Sequence, residues 1–195
     1  MNDVDLDERF QQHQNLRRQL PNSWNAFFAR FGSLRPVQLE SIPPILAGEN
    51  VLITAPTAGG KTEAVVAPIC ERMTLERWAG LSVVLVTPTR SLVNDLYARL
   101  ELPCREMGVR LGRKTADHAV SSNFHEQLLI TTPESLESLL TFKRQSLVHL
   151  RAIIVDEIHL LDGSSRGDQL RLLLQRVRRF LDRVYRDAPR NLQII

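Results

Sequence analysis

Apolar residues fall into short unbroken runs along this chain, and between the runs they recur every three or four positions. Val51-Leu52-Ile53, Val83 to Val86, Leu128-Leu129-Ile130 and Ala152 to Val155 each have the length of a strand buried on both faces. The pattern predicts strands over 51–55, 82–87, 128–131 and 152–156, with a short one near 109–112. Helices are predicted over 61–78, 90–107, 133–140 and 167–186. In the last of these Leu170, Leu173, Leu174, Val177, Leu181 and Val184 recur at helical spacing and define one apolar face. Alternating strand and helix is the βαβ rhythm of an α/β fold, a mainly parallel, doubly wound sheet flanked by helices. Residues 1–30 read as a helical extension ahead of a body spanning 31–195, and 191–195 reads as the opening of another core strand.

Composition changes this picture little. A chain of 195 residues with 43% hydrophobic content can bury a substantial core. The formal net charge of +3 does not by itself announce a polyanion partner. The segment 166–190 holds eight arginines and three aspartates, which gives the last helix a basic outer face of the kind that is ordinarily solvated. Cys70 and Cys104 are far apart, lack metal-ligand spacing, and read as buried thiols of a reducing compartment. No apolar run is long enough to span a bilayer and the start is acidic, so neither a membrane span nor a secretory signal is expected. The location expected is cytoplasmic.

The chemistry concentrates where strands end. Ala55-Pro56-Thr57-Ala58-Gly59-Gly60-Lys61-Thr62 joins a predicted strand to a predicted helix. Such a turn lets consecutive backbone N–H groups converge on phosphate oxygens at a helix N-terminus. Lys61 is placed to reach the β and γ phosphates, and the Thr62 hydroxyl to complete the shell of a Mg²⁺ ion. Thr57, Ala58, Gly59 and Gly60 form the cradle, the two glycines supplying its permissive backbone. Lys61 is one of only three lysines, against 22 arginines, so it is not compositional background.

Asp156-Glu157-Ile158-His159 follows the run Ala152 to Val155, 95 positions after Lys61. Asp156 is the expected Mg²⁺ carboxylate, held largely through water, and Glu157 the residue that orients and deprotonates the attacking water. Lys61, Asp156 and Glu157 are thus the candidate catalytic set. His159 is the candidate for coupling phosphate state to a partner surface. Taken alone, this acidic pair would read as a solvated turn; beside a phosphate-binding loop it reads as the second half of a nucleoside triphosphate site.

In this order the motifs resemble those of superfamily 2 DExH helicases. Pro88-Thr89-Arg90-Ser91-Leu92 is similar to motif Ia and Thr131-Thr132-Pro133-Glu134-Ser135-Leu136 to motif Ib. Arg35-Pro36-Val37-Gln38 lies where these enzymes carry the glutamine that reads adenine. The DExH spelling, Glu63-Ala64 after the loop and Arg166-Gly167 before the leucine-rich helix resemble the Lhr-like and Ski-like branch. Gly112-Arg113-Lys114-Thr115 only loosely matches that branch's Gly-Asp-Thr element. Pro21 stands where DEAD-box proteins place a stacking aromatic, which leaves Phe28 and Phe31 as candidates, each equally placed to be core.

The resemblance implies a RecA-like P-loop fold, ATP and Mg²⁺ as cofactors, and DNA or RNA as partner. Its nucleic-acid contacts would come from Pro88, Thr89, Arg90, Thr132, Pro133 and Glu134, which would grip the backbone and read no bases. Thr132 would cap its helix, with Pro133 in the first position. The family's next strand leads to a Ser-Ala-Thr motif and a second RecA-like domain carrying arginine fingers. The chain is therefore expected to be part of a longer helicase and weakly active alone. Two alternatives stay open: a duplex translocase of the same superfamily that does not unwind, and a nucleotide-gated binding module without turnover.

Overall fold

A computed structural model describes residues 3–31, 33–56, 59–115, 125–187 and 191–195. The chain divides into two compact units, one comprising residues 1–77, 106–108 and 195, the other 78–105 and 109–194.

The first unit is helical: α1 (Asp3–Gln19), α2 (Ser23–Phe27), α3 (Pro36–Leu46) and α4 (Lys61–Leu75). Leu20, Phe27, Phe28, Ile42 and Ile45 are fully buried, as is α4 from Ala64 to Cys70 apart from a trace at Val65. Phe28 is therefore a core residue, while Phe31 is exposed beneath the Arg30 guanidinium. A buried carboxylate ties α4 to α2. Glu71 accepts from the backbone N–H groups of Asn22 (3.0 Å) and Ser23 (2.7 Å) and from Asn22 Nδ2 (2.5 Å). It thereby satisfies donors that α2's own first turn leaves open, with a charge that suits that helix end.

The predicted strand over 51–55 is absent. Residues 51–56 carry no strand assignment and alternate between half-buried and exposed, with Leu52 81% exposed. The run is apolar enough for a two-faced strand, but a strand exists only through its ladder, and these residues join none.

The second unit contains the sheet, β1 (Val83–Val86), β2 (Leu111–Lys114), β3 (Leu128–Thr131), β4 (Ala152–Val155) and β5 (Gln193–Ile194). All five are parallel in the order β2-β3-β1-β4-β5. Strand period sends Val84, Val86, Leu129 and Ile153 to one face, where they pack with α6 (Pro133–Phe142) and α7 (Ser165–Val184). Each such aliphatic side chain contributes about 1.5–3 kcal/mol relative to its exposed state. α5 (Arg90–Glu106) follows β1. Leu170, Leu173, Val177 and Leu181 of α7 are buried as their spacing predicts, whereas Val184, at the last turn, is exposed. Cys70 and Cys104 are both buried. Among the described residues no helix is long and apolar enough to cross a membrane.

Candidate nucleotide site and nucleic-acid loops

The phosphate loop belongs to the first unit. Of its predicted residues, Thr57 and Ala58 lie outside the described residues, while Gly59, Gly60, Lys61 and Thr62 are in place. Gly59 N–H donates to the Pro56 carbonyl at 3.0 Å. A Cβ on Gly59 would lie 2.8 Å from that same oxygen. Gly60 precedes α4 with φ 83°, in the left-handed region that glycine alone enters cheaply. Gly60 has no side chain with which to cap this helix start, and a helix N-terminus favours an anion. Lys61 Nζ donates to the Ala55 carbonyl at 2.7 Å and spans the loop.

Gln38 is 4% exposed, and its carboxamide is engaged at both ends. Oε1 accepts from Arg35 N–H at 2.9 Å and Nε2 donates to the Gly60 carbonyl at 3.3 Å. The first bond belongs to the start of α3, where Pro36 occupies the first helical position. The second joins the glutamine to the phosphate loop itself. A Cβ on Gly60 would come within 2.6 Å of Gln38 Nε2, the end of a side chain that would have to shift, while the positive φ favours glycine whatever the space. The described residues of the loop suit an anion, with Gly59 and Gly60 lacking side chains, a helix start and a lysine. Thr62, at the start of α4, carries a hydroxyl oxygen of the kind Mg²⁺ accepts.

The carboxylates belong to the second unit. Asp156 follows β4 and donates its backbone N–H to the Val86 carbonyl at 2.8 Å. Glu157 has φ 51° and ψ 42°, a left-handed conformation that costs a non-glycine residue about 1–2 kcal/mol. A 3-10 turn over Ile158–Leu160 begins there, and Glu157 O accepts from Leu160 N at 2.9 Å. His159 Nδ1 stands 3.2 Å from Glu157 Oε2. The residue expected to position water and the residue expected to relay are thus direct neighbours, which the motif's spelling alone does not reveal.

The loops expected to meet nucleic acid are in the same unit. Pro88 is buried, while Thr89 and Arg90 are exposed at the start of α5. Thr89 Oγ1 accepts from Leu92 N–H at 3.3 Å and lies 3.1 Å from Ser91 Oγ. Thr132 caps α6, accepting from Ser135 N–H at 3.4 Å, with Pro133 in the first position as the sequence predicts. Its side chain is buried at 6% exposure, so capping is its evident work, and Glu134 is the accessible member of the motif. Burial raises the Glu134 carboxyl pKa. The Arg166 guanidinium, with hydrogen bonds from its own backbone and Thr132, outweighs that and holds it below the ordinary value.

Arg166 is the residue that sequence reasoning marked without assigning work. Its Nε donates to Glu134 Oε1 at 2.8 Å and its Nη2 to the Pro88 carbonyl at 2.6 Å. Gly167 beside it has no room for a side chain, because a Cβ would collide with the Leu161 carbonyl. Ser164 caps α7 by accepting from Gly167 N–H at 3.2 Å. The Arg166-Gly167 pair thus has a physical reason: one residue reaches, the other lets the helix begin that close.

The DEAD/DEAH box helicase family model matches residues 35–195. ATP-dependent helicase Lhr-Core protein 2 of Thermococcus barophilus is 36% identical over 178 residues, 77% of this chain and 20% of that protein. ATP-dependent DNA helicase Hel308 of Methanocella arvoryzae is 30% identical over 170 residues, 82% of this chain and 22% of its own length. The structure of the Mycobacterium smegmatis helicase Lhr bound to ssDNA and AMP-PNP superposes with a TM-score of 0.71 at 26% identity, covering 89% of this chain and 27% of that one. This chain spans 12% of the Mycolicibacterium Lhr helicase and 22% of Hel308.

Proposed function

The chain belongs to the DEAD/DEAH box helicase family, and from that premise we propose that it is the ATP-binding motor domain of a nucleic-acid-dependent ATPase. In the full-length protein it couples hydrolysis to translocation along DNA or RNA and to strand separation. Lys61, Gly59, Gly60 and the start of α4 bind the phosphates, with Thr57 and Ala58 completing the loop. Thr62 and Asp156 hold Mg²⁺, which supplies charge neutralisation at the phosphates when bound. Gln38 orients the nucleotide base while bracing Gly60. Glu157 orients the attacking water and accepts its proton, and His159 relays the state of that carboxylate outward.

One observation supports turnover over passive switching. Glu157 is held in a costly left-handed conformation at the end of β4, and strain of this kind persists where a side chain must be aimed. A nucleotide-gated module without turnover has no need of a base aimed in this way. The nucleic-acid contacts proposed are those of Pro88, Thr89, Arg90, Thr132, Pro133 and Glu134, with Thr132 acting through the helix start it caps. The likeness to a relative bound to ssDNA and AMP-PNP supports a single-stranded sugar-phosphate track.

The test is Glu157→Gln in the full-length protein. Nucleic-acid-stimulated turnover should fall by about two orders of magnitude or more, while ATP affinity is kept. Turnover equal to wild type removes Glu157 from the reaction and returns the reading to a switch. Comparing single-stranded DNA with RNA as activator assigns the track.

A further inference from the structure

α7 begins nine residues beyond Asp156, and nothing in the motif reading gives its first turn a task. Yet Arg166, in that turn, reaches two separate loops at once. Pro88 lies 78 positions away and ends the passage from β1; Glu134 lies 32 positions away and begins α6 after β3. β3, β1 and β4 are adjacent and parallel, so the guanidinium gathers the loops leaving the carboxyl ends of three neighbouring strands. That is where an open parallel sheet presents ligand contacts.

We propose that Arg166 is a positioning residue that sets the spacing between the Pro88–Arg90 loop and the Thr132–Glu134 loop, and so the fit of both to a sugar-phosphate backbone. This rests on the proposed function above. A guanidinium is planar and presents Nε and Nη2 at a fixed separation, so two acceptors bonded to them are held at a fixed distance. One bond goes to a backbone carbonyl and one to a carboxylate, so neither loop can shift without breaking a charge-assisted bond. The anchor is itself immobilised. Ser164 caps α7 through Gly167 N–H and donates to the Leu161 carbonyl at 2.6 Å, and Gly167 packs against that carbonyl without a side chain. Further along the helix Gln169 Nε2 donates to Glu137 Oε2 at 2.6 Å and Arg176 Nη1 to Glu137 Oε1 at 3.0 Å. α7 is therefore fastened to α6 along its length, and Arg166 extends that seam to Pro88.

The experiment uses the full-length protein with Arg166→Gln, Glu134→Gln, the double variant and Arg166→Lys. Oligo-dT and oligo-U are titrated as activators of ATP turnover, and ATP-analogue affinity and thermal unfolding are measured alongside. In Arg166→Gln the activator concentration for half-maximal stimulation should rise about tenfold, with turnover at saturation, ATP-analogue affinity and melting temperature close to wild type. The double variant should lose less than the product of the two single losses, because both changes break one brace. Arg166→Lys keeps the charge but cannot span both acceptors, so it should behave like Arg166→Gln; it also serves if the glutamine variant does not fold. Activation within twofold of wild type in the folded variants overturns the proposal, as does a double variant whose loss is the product of the singles. Absence of activation in wild type by either oligonucleotide would instead sink the proposed function itself.

Discussion

Asp156 and Glu157 leave a strand flanked on both sides by parallel partners, whereas Lys61 follows a segment that joins no ladder. In the sheet unit Val84, Leu129, Ile130 and Ile153 are fully buried, and the motif loops start from fixed points. In the helical unit Leu52 is 81% exposed, and the phosphate loop is steadied locally, by Lys61 to the Ala55 carbonyl, Gly59 to Pro56 and Gln38 to Gly60. The two halves of the proposed chemistry thus obtain order by different means, one from non-local pairing and the other from short-range hydrogen bonds around glycines. The same contrast shows in their positive-φ residues. Gly60 adopts φ 83° as glycine readily does, and Glu157 adopts φ 51° against its own preference.

This contrast can be broken by mutation. The largest effect expected is from Ile130→Ala, about 3–4 kcal/mol of stability lost through transfer and cavity terms. Leu52→Ala should cost within about 0.5 kcal/mol, as for other exposed sites. Chemical denaturation of both variants checks this, and a large loss at Leu52 would show that 51–55 is paired after all. Amide exchange should agree, fast at Ile53 and slow at Val84 and Ile130. Next in size is Gly60→Ala, which forces alanine into the left-handed region and its Cβ against Gln38. About 2 kcal/mol of strain is expected, with a tenfold or greater loss of ATP affinity measurable by fluorescent-nucleotide titration. Glu157 offers a smaller and inverted effect. Glu157→Gly should be more stable than Glu157→Ala by about 1 kcal/mol, because the backbone there is left-handed. Alanine equal to or better than glycine would remove the strain on which the turnover reading draws.

The smallest effect concerns pH. Burial, and after it the Arg17 guanidinium, hold the His13 imidazole below its ordinary value of 6.5. The folded state then binds this proton less readily than the unfolded one. Its stability contribution is complete above about pH 6.5 and lost as pH falls through that value toward the lowered folded pKa. His13 also stacks edge-on to Trp24 at 5.1 Å. Melting temperature should therefore drop between neutral and mildly acidic pH, and drop less in His13→Gln. An identical drop in that variant assigns the pH dependence elsewhere.

Much of the sheet unit was legible because its cues are local. Runs of β-branched and leucine residues announce strands, a Thr-Pro pair announces a helix start, and leucine spacing announces the buried face of α7. Val184, the last residue of α7, departs from that face and is exposed. The strand over 51–55 was misread for the complementary reason: apolarity states that a segment could be covered, not that a ladder partner exists. The site residues were legible as a set, since a glycine-rich turn before Lys61 and an acidic pair after a buried strand are chemistry written in order along the chain. Their contacts were not. Gln38 sits 22 positions from the carbonyl it bonds, and Arg166 stands 32 and 78 from its two acceptors, so periodicity carries no trace of either.

Residue types and their order by themselves determined the alternation of elements, the phosphate-loop and carboxylate motifs, and the family to which the chain belongs, because each depends on interactions within a few positions. Tertiary structure alone decided that Gln38 braces Gly60, that His159 touches Glu157, and that one arginine gathers the Pro88 and Glu134 loops. Those outcomes depend on which distant donors and acceptors folding brings within about 3 Å of one another, where a hydrogen bond first gains its strength.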